Sequence, residues 1–505
     1  MMARFQLASL FTDGAVLCRK KEIRVFGTGE EGLALSAVLL DEGGKTLCQD
    51  ETVIQNGRFC FYLPPQEAQM GCVLTVTDGQ DKTICCDIAI GEVYLAGGQS
   101  NMELELQYAD EGKQLIPVHR NPQVRYFNVP KFARFISEAE EANRAARWTA
   151  VAPGTAHNMS AAAYFFAMKL QSNLRVPVGI IDCYWGGTSI TCWMSEETLG
   201  LTAEGQRYLK EYQESCAGKT MEQYLEEENA FFSSQNAWGE KALALKTEHP
   251  EYTNKDLNAI IGPCPPWTPP VGEGSPFRPA GLYHTMLERV VPATLTGVLF
   301  YQGEEDSWRT KQYDALLTSF IFQLRELFMD AELPFLNVQL PMWMDGAATE
   351  DSKLWPALRL AQEKVWRNVR NTGLAVLIDE GEFDNIHPTN KRVVGERLFE
   401  AALDTVYHEE ARLSPFAIGK YRQGSALVIA LSAPVTDCGS GEYLMEIAGK
   451  GGVFQPADVR LEENRIVLSS PAVPCPIAAR YAWTDFAIVR LFGENGLPLA
   501  PFELK

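Results

Sequence analysis

The 505-residue chain lacks long apolar runs and is poor in basic residues. No stretch approaches about 18 consecutive apolar residues, so no transmembrane helix is expected. The 45 Lys and Arg residues are outnumbered by 65 Asp and Glu residues, which gives a formal net charge of −20. Nucleic acids and anionic membrane surfaces are bound through basic patches, so neither is expected as a partner. The first residues also lack the apolar core of about 7–15 residues that a signal peptide needs.

The 12 cysteines and six histidines lack the spacing of a metal site. The chain has no CxxC motif and no Cys/His pair with zinc-finger spacing, so neither a metal nor another cofactor is expected. Scattered cysteines are typical of a reducing compartment, where thiols serve as small buried apolar groups. A cytoplasmic location is therefore expected, and the oligomeric state stays open.

The distribution of apolar runs divides the chain into three predicted domains. Residues 1–90 contain short β-branched or aromatic runs separated by turn signals, which predicts an N-terminal β-sandwich domain. Residues 91–412 alternate short apolar runs with helical patterns, which predicts a parallel, doubly wound sheet. Residues 413–505 return to β character and predict a C-terminal β domain. The expected fold class is therefore α/β, flanked by β domains at both ends.

Short apolar runs and helical periodicity predict the individual elements. Central strands are expected at 93–96, 178–183, 297–301, 335–340 and 374–378. The clearest helix is expected at 313–328, where apolar side chains recur at i, i+3 and i+4. Further helices are expected at 161–170 and 391–403. The C-terminal strands are expected at 426–431, 443–447, 465–469 and 486–491.

One segment interrupts the alternation of strands and helices. Residues at about 196–260 are rich in Glu, Gln and Lys, which predicts an inserted helical hairpin. The Pro-rich stretch 262–280 follows, and it cannot be helical because proline lacks an N–H and clashes with the preceding turn. This loop is either a solvated connector or part of the rim of a substrate site.

Polar and glycine residues follow the predicted strands where each strand ends. Open α/β sheets bind ligands outside the carboxyl ends of their strands. Ser100 follows the first run after two glycines that allow a sharp turn, a placement that suits a nucleophile near backbone N–H donors. Gly186 and Gly187 follow the second run, and Gln302, which offers an amide donor, follows the third. Each feature alone also fits a structural role, such as a helix cap or a tight turn.

The last predicted strand is followed by Asp384 and His387, three residues apart. In a tight turn this spacing lets the carboxylate reach one imidazole nitrogen, which leaves the other nitrogen free to take a proton. Asp379 and Glu382 lie close enough in sequence to replace Asp384. Together the four strand ends supply a nucleophile, oxyanion donors and an oriented base, which predicts acyl transfer to a serine.

Four segments resemble the successive sequence blocks of the sialate O-acetylesterase family within the SGNH hydrolases. They read GGQSNMELEL, DCYWGGTSITCWMS, VLFYQGEEDS and DNIHPTNKRVVGERL. Segments near both termini, FQLASLFTDGAVL and RYAWTDFAIVRLFGENGLPLAPF, are similar to that family as well, whereas about 196–260 has no such likeness. The resemblance implies an SGNH-type sheet and an esterase that removes acetyl groups of the 9-O-acetyl type from sialic acid through an acetyl-serine intermediate.

The same resemblance implies the role of each site residue. Ser100 would be the nucleophile, His387 the general base, and Asp384 the residue that orients His387. Many SGNH enzymes carry Asn in the third of these blocks. This chain has Gln-Gly-Glu there instead, beginning at Gln302. The implied oxyanion donors are Ser100, Gly186 or Gly187, and Gln302.

An acetylated sugar is the implied substrate. An arginine could meet the carboxylate of a sialic acid, and Arg278, Arg309 and Arg359 are the candidates. One alternative is an esterase for acetylated xylan or another glycan, with the same catalytic residues. A more distant alternative is a non-catalytic carbohydrate-binding protein, which would have lost one of those residues. The expected substrate contacts are Gln99, Asn101, Trp185, Glu304 and Arg359.

The protonation of His387 predicts how activity depends on pH. The base has to be neutral to accept a proton, so activity is expected to fall at acid pH. An unperturbed histidine titrates near ~6.5, and a neighbouring carboxylate would raise that value.

Overall fold

The N-terminal region is built from short strands with one buried face. The structure, a computed structural model, describes residues 4–505. Along β4 (ALSAVLL), buried side chains alternate with more exposed ones, the period-2 pattern of a strand with one face on a core. The strands are β1 (Phe5–Leu7), β2 (Val16–Cys18), β3 (Ile23–Gly29), β4 (Ala34–Leu40), β5 (Thr46–Val53), β6 (Arg58–Leu63), β7 (Gln69–Thr77) and β8 (Lys82–Gly98). Strands β1, β3 and β6 form one sheet, and the others join the sheet of β8.

Strand β8 connects this region to the centre of the molecule. It is 17 residues long and pairs first with β7 and β2 and then with strands of the central sheet. One continuous cluster of buried apolar side chains spans both regions. The expected boundary between residues 90 and 91 therefore falls inside one strand, and the division into separate domains stays a prediction.

The central strands form a large mixed sheet that is parallel around β8. They are β9 (Asn121–Asn128), β10 (Thr149–Val151), β11 (Val178–Tyr184), β12 (Gly297–Tyr301), β13 (Phe335–Gln339) and β14 (Thr372–Val376). The order is β10-β9-β11-β8-β12-β13-β14, and only the pairing of β10 with β9 is antiparallel along this path. Tyr184, Gly98 and Tyr301 lie side by side on β11, β8 and β12. The segments that follow these three strands therefore meet at one edge of the sheet.

Helices connect the strands of the central region. They are α1 (Ser100–Glu103), α2 (Gly112–Leu115), α3 (Ser137–Ala145), α4 (Ala161–Leu174), α5 (Glu196–Gly200), α6 (Ala203–Cys216), α7 (Met221–Glu248), α8 (Asn254–Ile261), α9 (Gly281–Thr285), α10 (Tyr313–Leu327), α11 (Leu354–Asn368) and α12 (Lys391–Ala402). Helix α4 packs on α12, and α10 packs on α11. Helix α7 begins at a capping box in which Thr220 and Gln223 exchange hydrogen bonds. Among residues 4–505, none of the helices combines the length and the apolar character that a bilayer crossing requires.

The C-terminal region is a set of antiparallel sheets with its own apolar core. The strands are β15 (Ala417–Gln423), β16 (Ala426–Leu431), β17 (Val435–Asp437), β18 (Met445–Ala448), β19 (Phe454–Pro456), β20 (Asp458–Glu462), β21 (Arg465–Ser469), β22 (Ala478–Tyr481), β23 (Leu491–Gly493) and β24 (Phe502–Leu504). Their core includes Leu374 and Val376 of β14, so the C-terminal sheets pack against the edge of the central sheet.

Several predicted elements coincide with observed ones, and others differ. The strands expected at 297–301 and 426–431 are β12 and β16, and the helix expected at 313–328 is α10. The strand expected at 486–491 is wrong, because that segment is irregular until β23 begins. Strand β9 was not expected, since its sequence NPQVRYFN contains a proline and polar residues that favour an edge or a loop.

Candidate active site

Ser100 lies where β8 ends and α1 begins, beside the ends of β11 and β12. Gly98, the last residue of β8, has a φ of 136°, and a Cβ there would collide with the backbone of Tyr301. Glycine is therefore required for β12 to approach this turn closely. Ser100 is the first residue of α1 and remains half-buried, so its hydroxyl is accessible at the edge of the sheet.

His387 lies opposite Ser100, as the sequence predicted for a nucleophile and its base. The distance between His387 Nε2 and Ser100 Oγ is 2.8 Å, which is a hydrogen bond. Strands β12 and β13 separate β14 from β8, so the loop after β14 has to cross two strands to reach Ser100. Asn101 holds the loop there, because its Nδ2 donates to the carbonyl of Ile386 at 2.9 Å.

Burial and a nearby lysine lower the pKa of His387 to about 4. Burial is the larger cause, because the imidazolium loses hydration, and the positive charge of Lys391 is the second. The neutral ring that accepts the Ser100 proton at Nε2 carries its own proton on Nδ1. In residues 4–505 that Nδ1 has no hydrogen-bond partner.

We expect kcat/KM for 4-nitrophenyl acetate to stay constant from about pH 8 to about pH 5 and to decline towards the His387 pKa of about 4. Below that pKa the ring is protonated and cannot accept the Ser100 proton. The sequence-based midpoint near ~6.5 or above is corrected downwards, because the ring is buried and has Lys391 and not a carboxylate beside it. The check is a pH–rate profile with circular dichroism at each pH. A midpoint near ~6.5 would contradict this environment.

The structure does not place the Asp384 carboxylate against His387, which corrects the prediction that Asp384 orients the ring. One oxygen accepts the N–H of Gly346 at 2.6 Å, and the other accepts the N–H of Asn254. The reason lies in the backbone. Asp384 has a φ of 66°, and its own N–H donates to the carbonyl of Met344 at 3.1 Å. This left-handed turn directs the carboxylate to neighbouring loops, whereas the spacing argument needs a turn that folds back on the ring.

The two alternative carboxylates are engaged elsewhere as well. Asp379 accepts two hydrogen bonds from Arg397, at 2.6 and 2.8 Å. Glu382 accepts the N–H of Thr389 at 3.2 Å. Within the part of the chain that the structure describes, residues 4–505, no carboxylate forms an ion pair with His387. The geometry is therefore that of a serine–histidine pair.

We expect Asp384→Asn to lower kcat by less than about tenfold and the free energy of unfolding by about 1–3 kcal/mol. Asp384 secures two loops and does not touch the ring, and asparagine tolerates the left-handed backbone. An aspartate that oriented the base would cost of order 10⁴ in kcat. The measurements are kcat and urea unfolding, with Asp379→Asn as the matched control. A folded Asp384→Asn protein with the larger loss would reinstate Asp384 as the orienting residue.

Two backbone N–H groups beside the nucleophile are open to a ligand. Within residues 4–505, those of Ser100 and Gly187 have no hydrogen-bond acceptor. The N–H of Gly186 instead donates to Oε2 of Glu103 at 2.5 Å, and Glu103 also pairs with Lys131. Of the two glycines that the sequence left open, Gly187 is therefore the one whose N–H is available to an oxyanion.

The side-chain amide of Gln302 is fully engaged inside the protein, which corrects its expected role as an oxyanion donor. Its Nε2 donates to Asp306 at 2.6 Å and lies 3.2 Å from both Gln99 Oε1 and the carbonyl of Thr188. Its Oε1 accepts from Tyr313 at 2.7 Å. The physical reason is that the buried carboxylate of Asp306 needs hydrogen-bond donors. It accepts from the amide nitrogen that the sequence predicted as an oxyanion donor.

Four of the five expected substrate contacts face the interior, which corrects that prediction. Each is at most 6% exposed, and each has hydrogen bonds within the protein. Only Trp185 is half-buried and offers surface at the site. The four buried residues are Gln99, Asn101, Glu304 and Arg359.

Arg359 connects α11 to the C-terminal region and cannot meet the carboxylate of a sugar. Its guanidinium donates to the carbonyls of Thr484 at 2.6 Å and of Ala482 and Pro341 at 3.3 Å. Burial lowers its pKa to about 10. These carbonyl groups accept from the two terminal nitrogens, whereas Nε has no hydrogen-bond partner within residues 4–505.

Lys391 is the residue of this site that sequence reasoning missed. It lies in the first turn of α12, is 1% exposed, and donates from Nζ to Asn101 Oδ1 at 2.5 Å. Asn101 in turn donates to Glu304 Oε1 at 2.5 Å. Burial lowers the pKa of Lys391 to about 7 and raises the pKa of Glu304. Lysines are mostly exposed, and one in the first turn of a predicted helix is expected at the surface. No sequence pattern therefore indicated that Lys391 belongs to the site.

Residues 4–505 contain no group of three or more His, Cys, Asp and Glu side chains that could hold a metal ion.

Comparisons with known proteins identify the family. A family model described as "Carbohydrate esterase, sialic acid-specific acetylesterase" matches residues 90–222 and 267–404. The sialate O-acetylesterases of Mus musculus and Homo sapiens are 25% and 24% identical to this chain over 64% of its length. The chain spans 58% and 55% of the length of these relatives. A carbohydrate acetylesterase from Xanthomonas citri, known from its crystal structure, is 28% identical with a TM-score of 0.76, and the match covers 99% of both chains.

The matched residues make up more than half of the chain and include Ser100, Gly187 and His387. Residues 223–266, which hold most of α7 and all of α8, lie outside the match. The family model agrees with the resemblance carried by the four sequence blocks, and that prediction is confirmed. The chain therefore belongs to the sialic acid-specific acetylesterase family of carbohydrate esterases.

Proposed function

We propose that the protein is a carbohydrate O-acetylesterase that hydrolyses acetyl esters of sialic acid, of the 9-O-acetyl type, through an acetyl-serine intermediate. The observation that carries the proposal is the 2.8 Å hydrogen bond between Ser100 Oγ and His387 Nε2. The open N–H groups of Ser100 and Gly187 and the family membership of the chain support the same reaction class.

The first half-reaction transfers the acetyl group to the protein. Ser100 Oγ attacks the acetyl carbonyl carbon while its proton passes to His387 Nε2. The carbonyl electron pair moves to the oxygen, and the N–H groups of Ser100 and Gly187 stabilise that oxyanion. One donor of this kind is typically worth ~3–4 kcal/mol of the barrier. When the intermediate collapses, the bond from carbon to the sugar oxygen breaks, and His387 gives its proton to the departing alcohol.

The second half-reaction releases acetate. A water molecule gives a proton to His387 Nε2 and attacks the carbonyl carbon of acetyl-Ser100. The same N–H groups hold the second oxyanion, and Ser100 Oγ leaves with the proton from His387. Without a carboxylate beside the ring, the site favours neutral His387, and its low pKa makes the ring a weak base that operates over a wide pH range.

We further propose that the central sheet is the doubly wound sheet of an SGNH hydrolase. The parallel pairing of β9, β11, β8, β12, β13 and β14 supports this assignment. The position of Ser100 directly after β8 and of His387 in the loop after β14 is in keeping with a ligand site at the carboxyl ends of the strands.

The test combines active-site labelling with a substrate screen. A serine-directed phosphonate is expected to add its mass at Ser100, and acetate is expected from 9-O-acetyl-N-acetylneuraminic acid. Acetylated xylo-oligosaccharide serves as the second substrate, since the relative from Xanthomonas citri is described only as a carbohydrate acetylesterase. If acetate is released from the xylo-oligosaccharide alone, the proposed substrate changes from an acetylated sialic acid to an acetylated plant glycan. No adduct and no acetate from either sugar would refute the esterase.

A further inference from the structure

A cavity of about 610 Å³ opens beside the turn that carries Gly187. Its walls come from the turn after β11, from α6, from the Pro-rich loop after α8 and from the turn after β12. The neighbouring Gly186 lies against the nucleophile, because a Cβ added there would be 3.3 Å from Ser100 Cβ. The cavity therefore begins next to the reacting serine, and its volume is in the range of about 300–1,000 Å³ that is usual for small-molecule sites.

Two tryptophans present exposed rings to this cavity. Trp308 is 55% exposed and Trp267 is 44% exposed, although large aromatic side chains are usually well buried. Trp308 is held in place by the guanidinium of Arg309, which lies 4.0 Å from its ring and 4.3 Å from that of Tyr208. Arg309 is in turn fixed by Glu211 at 2.5 Å. A ring restrained by such a contact loses less conformational entropy when it binds a ligand than an unsupported one does.

The Trp267 ring is supported from behind by residues of α7 and of its own loop. Its ring contacts Phe231 and Phe277 edge to face, with centroids 5.4 and 5.9 Å apart. A Cβ at Gly187 would collide with the indole, so the Pro-rich loop packs directly on the turn that carries Gly187. Phe231 belongs to the part of α7 that lies outside the family match, so a segment outside that match supports this wall of the cavity.

Polar side chains line the same cavity, and Glu305 is one of them. Burial together with the nearby charge of Asp306 raises the pKa of Glu305 to about 8. At neutral pH a carboxyl group with that pKa is mostly protonated, so it both donates and accepts hydrogen bonds. Sugar hydroxyl groups need partners of this kind, while the C–H faces of the ring need apolar contact.

We propose that this aromatic cavity binds the sugar ring whose acetyl group Ser100 attacks, with Trp308 and Trp267 as stacking surfaces and Glu305 as the partner of a ring hydroxyl. The inference rests on the proposed function and extends it from the acetyl group to the sugar. Small aryl acetates present the same carbonyl to Ser100 but no sugar ring, so they report on the chemistry without the cavity.

Substrate selectivity tests the cavity. The quantity to measure is kcat/KM for 9-O-acetyl-N-acetylneuraminic acid, and for acetylated xylo-oligosaccharide, divided by kcat/KM for 4-nitrophenyl acetate. For whichever sugar ester is hydrolysed, Trp308→Ala and Trp267→Ala are each expected to lower this ratio by about tenfold or more. Trp308→Phe, which keeps a ring, is expected to retain most of this ratio.

The control is Phe322→Ala, since Phe322 lies on α10 outside the cavity and is as exposed as Trp308, at 55%. Unchanged ratios in both tryptophan variants, or an equal loss in the control, would overturn the inference.

Direct binding separates a failure of the cavity from a failure of the proposed function. Calorimetry with the unacetylated sugars, N-acetylneuraminic acid and xylo-oligosaccharide, needs no hydrolysis. We expect at least one of them to bind the wild-type protein and to bind Trp308→Ala about tenfold more weakly or worse. This result supports the cavity even if neither acetylated sugar is hydrolysed. Equal affinity of both proteins, or binding to neither, overturns the cavity even if the esterase activity stands.

Discussion

Replacing Ser100 with alanine is expected to lower kcat for acetyl ester hydrolysis by about 10⁴–10⁶-fold. Within residues 4–505 the hydroxyl is the hydrogen-bond partner of His387 Nε2, at 2.8 Å, and its loss removes both the attacking atom and the covalent intermediate. The open N–H groups of Ser100 and Gly187 remain and leave a residual rate for direct attack by water. Because the side chain is half-buried and loses one oxygen, the variant is expected to fold normally.

Single-turnover and steady-state rates with 4-nitrophenyl acetate measure this loss. His387→Gln is expected to cost about as much, and the double variant no more than either single one, because the two residues act as a unit. Ser440→Ala, an exposed serine of the C-terminal region, is the control and should keep the wild-type rate. A folded Ser100→Ala protein with more than about a tenth of the wild-type kcat would rule out this serine as the nucleophile.

Changing Lys391 to methionine is expected to lower the free energy of unfolding by about 3 kcal/mol or more. The buried ammonium donates to Asn101, which donates to Glu304, and the second oxygen of Glu304 has no partner within residues 4–505. Removal of the lysine therefore leaves a buried carboxylate without its nearby cation. A positive charge in the first turn of α12 interacts unfavourably with the helix dipole. The charge of this lysine is therefore stabilised by its contacts with Asn101 and Glu304 and not by the helix.

The same substitution is expected to move the acid limb of the pH–rate profile upward. Lys391 is one of the two causes that lower the pKa of His387, and burial alone would remain. Misplacement of the loop at Ile386, which Asn101 holds, should also lower kcat by up to about 100-fold. Urea unfolding and the pH–rate profile are the measurements. The double variant Lys391→Met/Glu304→Gln is the control, because it removes the uncompensated charge and should recover part of the stability. A single variant with the wild-type free energy of unfolding and an unchanged pH–rate profile at acid pH would contradict the role of the Lys391–Asn101–Glu304 contacts.

Sequence reasoning found the residues that meet at the edge of the sheet because parallel strands end at the same edge. Ser100, Gly187 and His387 each follow a buried strand, and the structure brings them together. The prediction of their partners was less successful. Asp384 and Gln302 have the residue type and placement that the chemistry requires, yet their polar atoms are bonded to Gly346 and Asp306.

The sequence by itself determined the family, the alternation of strands and helices, and the serine and histidine that the structure joins by a hydrogen bond. These follow from local periodicity and from the order of short motifs along one chain. Only the tertiary structure decided that Gly187 and not Gly186 has an open N–H, that Arg359 is a buried connector, and that Lys391 donates to Asn101, the residue after Ser100. The physical reason is that a polar side chain bonds whichever donor or acceptor lies next to it in space, and loops far apart in sequence supply that neighbour. Burial then shifts the pKa of that side chain. Neither the neighbour nor the degree of burial can be predicted from the spacing of residues in the sequence.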